Sequence, residues 1–197
     1  VEQIKDGRRF LEVARRVTRL KPIVLLKGGR TTAGARAVSS HTGSLAGSYA
    51  AYQAAFKQAG VIEVKSLSEL FEVAMAFDFQ PLPRGKRAVI ITNAGGPAAL
   101  ASDALAASGL TLEDLEADTR ATLRAALNPS AQVENPVDIL GGAEPPDYAL
   151  CVKTLMHDRH VDAVLPLLVP QALVDTVGVA RAIVEESRGG EKTVLAC

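Results

Sequence analysis

The chain has 197 residues, 48% of them apolar and 4% aromatic, and its 22 Lys and Arg residues balance 22 Asp and Glu residues. This composition predicts a soluble globular protein with a packed core, organised as one large or two small domains. It excludes the basic surface and the aromatic stacking platform that nucleic-acid binding requires. No run of 18 apolar residues predicts a membrane span and no leader-like segment opens the chain, so we expect a cytoplasmic protein. Cys151 and Cys197 lack the spacing of a zinc site, and no metal site is predicted.

The first half of the chain alternates helical and strand patterns. Helical spacing of apolar residues, apolar runs of strand length and a terminating Gly60 predict these elements: helix Lys5–Arg19, strand Pro22–Leu26, helix Ser48–Ala59 and strand Val61–Val64. Ser66 and Glu69 form a capping-box pattern that predicts the start of a further helix. The side chains expected to face inward from this helix are Leu67, Leu70, Phe71, Ala74 and Phe77.

A proline-rich break, Gln80–Arg87, separates this half from a second alternating series and predicts a linker between two domains. Pro166 cannot donate to a sheet ladder, so we expect the strand before it to end at Leu165. The elements predicted after the break are strand Ala88–Thr92, helices Pro97–Ser108, Asp118–Leu127 and Pro146–His157, strand Val161–Leu165, helix Ala172–Ser187 and a strand beginning at Thr193. Strands separated by helices predict parallel βαβ units, and therefore doubly wound α/β domains in both halves.

The segment Arg30–Ser48 is rich in glycine and hydroxylated residues and contains one histidine, His41. We interpret it as a long ordered loop, in which Gly43 and Gly47 supply backbone freedom and the imidazole could act as a base, a metal ligand or a nucleophile. The alternative is a mobile glycine-rich loop with an incidental histidine. Lys27, Arg30 and Arg36 flank the segment and could neutralise a phosphate, although cations beside a loop are usually solvated.

A second candidate site is the stretch Thr92–Ala98, where a buried strand meets glycines and a helix start. Backbone N–H groups and the positive end of a helix dipole meet there, which predicts an anion site for phosphate. The same turn also occurs merely for tight packing. The stretch Asn135–Asp138, followed by Gly141 and Gly142, is another strand-end loop, for which a simple turn capped by Asn and Asp is the alternative.

Taken together, these motifs resemble the NDP-forming acyl-CoA synthetases, relatives of succinyl-CoA synthetase. The residues that carry the resemblance are Gly28–Arg30, Ser40–Gly47, Tyr52–Val64, Thr92–Pro97 and Asn135–Asp138, in the family's order over nearly the whole chain. The resemblance implies two flavodoxin-like ligase domains with mainly parallel sheets, both truncated. The first covers residues 1–79 and carries the phosphohistidine loop, residues 80–87 form the linker, and residues 88–197 form the second domain. Because the chain starts at Val1 and ends in an apolar run, we expect a piece of a longer protein.

The family's reaction interconverts acyl-CoA, ADP and phosphate with carboxylic acid, CoA and ATP through a phosphohistidine. The resemblance matches His41 to the phosphorylated residue and Glu2 to a glutamate that hydrogen-bonds it. It matches Asn93, Ala94, Gly95, Gly96 and Ala98 to a helix start that holds the phosphoryl group.

The resemblance also implies ligands and partners beyond this chain. The complete protein would use CoA, ATP or ADP, Mg and small acyl substrates, with CoA-binding and ATP-grasp domains on the same or a partner chain. Of these ligands only phosphate is a candidate for this part alone, which we expect to be inactive by itself. Homo-oligomerisation is left open. The rival interpretation is a ligand-sensing, non-catalytic region of a fused protein lysine acetyltransferase, and His41 argues against it because such fusions tend to have lost the histidine.

Overall fold

The computed structural model describes residues 1–42, 48–172 and 174–197, and the side chains of residues 39–42 lie outside this description. The chain divides into two compact units, Val1–Asp78 and Phe79–Cys197. No helix in the described part of the chain has both the length and the apolar content of a membrane span.

The first unit is built on a two-stranded parallel sheet. Its elements, in chain order, are α1 (Gly7–Val17), β1 (Val24–Leu26), α2 (Thr32–Thr42), α3 (Tyr49–Ala59), β2 (Ile62–Val64) and α4 (Leu67–Phe79). In the sheet, Val24 lies opposite Ile62 and Leu26 opposite Val64. Helices α1 and α3 pack together through Phe10 and Phe56, whose rings meet edge to face with centroids 5.9 Å apart.

Two predictions for this unit are wrong. The segment predicted as a loop contains helix α2, to which three alanines and Arg36 contribute helix propensity and at whose start the Thr31 hydroxyl accepts a hydrogen bond from the Gly34 amide at 3.1 Å. The predicted inward face of α4 is largely exposed: Leu67 is 62% and Phe71 64% accessible to solvent, and no α4 residue is buried. A sheet of two strands is too small to cover all four helices of this unit.

The second unit contains a four-stranded parallel sheet in the order β4-β3-β5-β6. The elements are β3 (Ala88–Thr92), α5 (Gly95–Ala107), α6 (Ala117–Ala126), β4 (Val137–Asp138), α7 (Pro145–His157), β5 (Ala163–Leu167), α8 (Thr176–Ser187) and β6 (Thr193–Val194). All five residues of β3 are buried, and alternate ones face two different cores. Val89 and Ile91 pack with residues of α6, α7 and α8, whereas Ile90 packs with α5. The predicted α/β class with parallel sheets is therefore confirmed.

Strand β5 continues through Pro166 to Leu167, so the predicted end at Leu165 is wrong. The Pro166 carbonyl accepts from the Cys197 amide at 2.9 Å, which shows that this residue points its backbone groups toward the β6 side. The donor that proline lacks is therefore not needed for pairing with β3, where Pro166 lies opposite Ile91.

The starts of α5 and α8 differ from the predicted ones by more than one residue. Helix α5 begins at Gly95 rather than Pro97, and the Ala98 amide closes its first turn on the Ala94 carbonyl at 3.4 Å. Helix α8 begins at Thr176 rather than Ala172, because the Asp175 side chain caps it by accepting from the Gly178 amide at 2.9 Å.

Candidate functional site

The carboxyl edge of the four-stranded sheet lies at a change of direction in the chain. From β3 the chain runs into α5 on one face of the sheet, and from β5 it runs into α8 on the other. In open parallel sheets the crevice at such a point is the usual ligand site. The strand ends at this edge therefore define the first candidate site.

Asn93 spans this crevice. Its Nδ2 donates to the Val169 carbonyl at 2.9 Å, and its Oδ1 accepts from the Val169 amide at 2.8 Å. The side chain is 2% exposed, so both polar ends of the amide are used inside the protein. Binding of an anion at this turn would accordingly fall to backbone N–H groups rather than to the Asn93 side chain.

Helix α5 differs from the other two helices that start at this edge. The Asp147 carboxylate accepts from the Glu144 amide at the start of α7, and Asp175 caps α8. No side chain caps α5, and among the described residues none accepts from the amides of Gly95 and Gly96. These two N–H groups, aligned with the positive end of the helix, can bind an oxyanion. Pro97 follows them and has no N–H to leave unpaired.

Asp138 lies beside this helix start. It is the β4 residue opposite Thr92, and its Oδ2 would be 3.8 Å from a Cβ added to Gly95. Its Oδ1 accepts from the Leu140 amide at 2.9 Å, and Leu140 has a left-handed φ of 70°. The anion position is thus bordered by a carboxylate as well as by N–H donors. Sequence reasoning noted Asp138 only as part of a separate loop, although parallel pairing of the two strands would have placed it next to Thr92.

A surface cavity of about 750 Å³ lies on the same edge. It runs between the loop after β4 and the loop after β5, with Gly141, Glu144, Gln171 and Asp175 among its lining residues. Glu144 and Asp175 lie at the two capped helix starts there. The described lining of the cavity contains no Lys, Arg or His. Its chemistry is polar and acidic rather than anion-binding.

The first unit holds the second group of candidate residues. His41 is the last residue but one of α2, and its side chain lies outside the described residues. Gly43 and Gly47, the predicted hinge glycines, also lie outside them. Arg36 is exposed on α2, as expected for a solvated cation.

Lys27, in contrast, is buried, with 3% of its surface accessible. Its Nζ donates to the Gly28 carbonyl and lies 4.6 Å from the centre of the Tyr52 ring. Burial lowers the pKa of Lys27, while the nearby carboxylates of Glu2 and Glu63 act in the opposite direction. Glu2 lies next to Lys27 because the amide of Gly28 bonds the Val1 carbonyl at 2.9 Å, which holds the start of the chain along the end of β1. The expectation that cations at this segment are solvated is wrong for Lys27.

Within the part of the chain that the structure describes, no group of three or more His, Cys, Asp or Glu side chains has the arrangement of a metal site. Cys151 is buried, which raises the pKa of its thiol to about 12, and Cys197 is exposed.

Comparison with known proteins gives two family matches and several long relatives. The family model of the succinyl-CoA ligase like flavodoxin domain matches residues 1–77, and the ligase-CoA domain matches residues 88–194. The alpha subunit of the ADP-forming acetate–CoA ligase II of Pyrococcus furiosus is 45% identical over 202 residues, which cover 100% of this chain and 44% of that protein. The ADP-forming acetate–CoA ligase I of Archaeoglobus fulgidus is 42% identical, over 93% of this chain and 27% of that protein.

One similar solved structure is acetyl-coenzyme A synthetase 1 of Ca. Korarchaeum cryptofilum in complex with phosphate and ADP. It is 36% identical, with a TM-score of 0.91 over 100% of this chain and 43% of that chain. The chain therefore spans less than half the length of these relatives.

Proposed function

Because the chain belongs to the succinyl-CoA ligase-like family, with a flavodoxin-like domain over residues 1–77 and a ligase-CoA domain over residues 88–194, we propose that it is the phosphoryl-carrying part of an ADP-forming acyl-CoA synthetase. The resemblance inferred from the motifs is confirmed at this level. Residues 1–79 would be the C-terminal part of the first ligase domain, residues 80–87 a linker, and residues 88–197 a shortened second ligase domain.

The proposed reaction passes one phosphoryl group through three carriers. Phosphate displaces CoA from acyl-CoA to give an acyl phosphate, and a ring nitrogen of His41 then attacks phosphorus. The P–O bond to the acyl group breaks as the N–P bond forms, which releases the carboxylate. ADP then takes the phosphoryl group from His41 and becomes ATP. The open start of α5 is the observation that supports this scheme, since Gly95 and Gly96 offer a phosphoryl oxyanion two unpaired N–H donors.

Glu2 has the proposed role of orienting the imidazole and balancing the positive charge that phosphorylation gives it. The position of Glu2 near the carboxyl end of β1 supports this role, because the Lys27 ammonium group attracts its carboxylate there. CoA, Mg and the nucleotide would bind to CoA-binding and ATP-grasp domains on the same or a partner chain. The chain alone should show no turnover of acyl-CoA, ADP and phosphate, and turnover by purified residues 1–197 would refute this point.

The test is phosphorylation of the complete protein by radiolabelled ATP, or by acyl-CoA with labelled phosphate. We expect an adduct that is labile to acid and stable to base, and its loss together with turnover in His41→Asn. His157→Asn is the matched control, because His157 is an exposed histidine whose Nδ1 bonds the Lys153 carbonyl at 2.8 Å at the end of α7. Labelling that persists in His41→Asn would assign the relay to another residue, whereas wild-type protein that takes up no label would favour a sensing role for this region.

A further inference from the structure

The hydroxyl of Thr92 lies at the junction of β3 and α5. Thr92 is the last residue of β3, between Asp138 of β4 and Leu167 of β5, and none of its surface is exposed. Its carbonyl accepts a hydrogen bond from the Ile139 amide at 2.8 Å. The backbone of Thr92 is therefore held by the strands on both sides, and the hydroxyl is attached to a rigid part of the sheet.

This hydroxyl bonds both backbone groups of Ala94. Oγ1 of Thr92 accepts from the Ala94 amide at 3.0 Å and donates to the Ala94 carbonyl at 2.9 Å. Ala94 is the residue before α5, and it is extended, with a φ of −155° and a ψ of 125°. An alanine has no side-chain oxygen with which to cap a helix. The conformation at this helix start is accordingly fixed by a hydroxyl from the preceding strand.

The two bonds decide which amides the start of α5 offers to a ligand. The Ala94 amide is used by Thr92, and the Ala98 amide closes the first turn on the Ala94 carbonyl at 3.4 Å. Between them lie Gly95 and Gly96, which are exposed and from whose amides no described residue accepts. Because the helix continues directly from Ala94, the direction of these two N–H groups follows from the conformation of that residue.

We propose that Thr92 is a positioning residue for phosphoryl transfer, because its hydroxyl fixes Ala94 so that the amides of Gly95 and Gly96 face the phosphoryl oxygens together. The inference rests on the proposed function and extends it to a buried residue that does not touch the phosphoryl group. Two donors bind an oxyanion well when both already point at its position, so that nothing has to reorganise as the charge arrives.

The experiment compares Thr92→Val and Thr92→Ser in the complete synthetase. Valine removes the hydroxyl and keeps the shape, whereas serine keeps the hydroxyl and loses the methyl group. In Thr92→Val we expect phosphorylation of His41 by acyl-CoA and labelled phosphate to slow about tenfold, since a charge-assisted hydrogen bond to the phosphoryl group is lost. The KM for phosphate should rise several-fold while the KM for ADP stays unchanged. Thr92→Ser should restore both values to within about twofold of wild type.

The KM for phosphate is the readout that a merely structural role would not change. A less stable enzyme has fewer active molecules, but each of them binds phosphate as before. Thr154→Val is the matched control, because the hydroxyl of Thr154 donates to the Leu150 carbonyl at 2.7 Å within α7 and is also partly buried. We expect it to keep the wild-type rate and KM. If a thermal melt shows that Thr92→Val does not fold, Thr92→Cys carries the same test, since a thiol forms only weak hydrogen bonds.

The outcomes separate this inference from the proposed function. If wild-type protein is labelled at His41 and Thr92→Val is labelled equally fast with the same KM for phosphate, the role of Thr92 is refuted while the function stands. Equal losses in Thr92→Ser and Thr92→Val would also refute it, because the hydroxyl would then not be the group that matters. If wild-type protein takes up no label at His41, the proposed function is refuted and the role of Thr92 with it.

Discussion

Asn93 and Val169 are joined by two hydrogen bonds of 2.9 and 2.8 Å, one in each direction between the side-chain amide and the backbone. They connect the residue after β3 to the loop after β5, so a single side chain links the two strand ends that border the crevice. The arrangement keeps the turn before Gly95 in one conformation, and with it the start of α5.

The first prediction follows from this pair. Asn93→Ala should lower the free energy of unfolding of the second unit by about 2–4 kcal/mol, because it leaves two buried backbone groups unpaired. Urea denaturation measures this. Asn128→Ala is the control, since Asn128 is exposed and its Oδ1 makes one local bond to the Ser130 amide at 2.9 Å. Equal losses in the two variants would show that the Asn93 pair adds nothing to stability.

The second prediction concerns the contact between α2 and the turn before it. Gly29 has a φ of +74°, and a Cβ there would lie 3.0 Å from Cγ2 of Val38. Gly29→Ala should therefore cost about 1–2 kcal/mol for the backbone conformation and more for the contact. Val38→Ala should recover the contact part in the double variant.

Gly109→Ala is the control for backbone strain, because Gly109 has a φ of +76° and open space around the added Cβ. The two variants are compared by the shift of each unit's own melting transition. A Gly29→Ala loss no larger than that of Gly109→Ala, with no recovery by Val38→Ala, would show that α2 does not press on this turn.

The third prediction is a pH dependence in the second unit. The Asp162 carboxylate accepts from the Arg87 amide, Nε and Nη2 at 3.0, 2.9 and 2.7 Å, and these bonds to Arg87 lower the pKa of Asp162 to about 2. A depressed folded-state pKa stabilises the fold above the unfolded value near 4, and this contribution disappears as the pH falls toward 2. The Asp162 side chain is 7% exposed and that of Arg87 is 39% exposed, so solvent screens the pair in part.

Asp162→Asn should accordingly lower the free energy of unfolding by about 2 kcal/mol at pH 7, and the difference from wild type should shrink between pH 4 and pH 2. Chemical denaturation at several pH values measures it. Glu191→Gln is the matched control, because Glu191 and Arg84 form an ion pair in which both side chains are 75% exposed, and such pairs contribute little. A constant difference between wild type and Asp162→Asn over this pH range would contradict the assigned cause.

The sequence was most informative where one local signal decided the structure. Strand β3 has the predicted bounds, Ala88–Thr92, because a short apolar run before a glycine turn is typical of a strand buried on both faces. Gly60 ends α3 in a left-handed conformation, as a glycine at that position predicts. An anion site at Thr92–Ala98 could be proposed for the same reason, since its chemistry would lie in the backbone of seven consecutive residues.

The sequence was least informative where packing decides. Helical spacing in α4 predicts an apolar face but does not say which residues cover it. Phe71 is exposed, so the described part of this unit does not cover that face. Lys27 looks like any loop cation in the sequence, and its burial against the Tyr52 ring on α3 depends on packing that the sequence does not show. The placement of Asp138 beside the start of α5 depends on the pairing of strands that are distant in sequence, which a single sequence does not supply.

The last prediction tests the start of α5 as the phosphoryl site. A Cβ added to Gly95 would have Oδ2 of Asp138 as its nearest neighbour, at an ordinary 3.8 Å, and the φ angle of Gly95 is not positive. A Cβ therefore fits the fold at this position, and we expect the methyl groups of valine to occupy the space in front of the Gly95 and Gly96 amides, from which no described residue accepts. In the complete protein, Gly95→Val should slow phosphorylation of His41 by at least an order of magnitude, since each charge-assisted hydrogen bond lost costs about 1.5–3 kcal/mol.

Gly7→Val is the control for the helix itself, because Gly7 is the first residue of α1 just as Gly95 is the first residue of α5, and no atom lies within 4 Å of its added Cβ. Both variants place a β-branched residue at a helix start, so thermal melts should show similarly small losses of stability, whereas only Gly95→Val should lose phosphoryl transfer. The rate of His41 phosphorylation must be measured beside the melt, because an unfolded variant would also fail to react. Wild-type phosphorylation by a stably folded Gly95→Val protein would mean that this turn serves packing and that the phosphoryl group is held elsewhere.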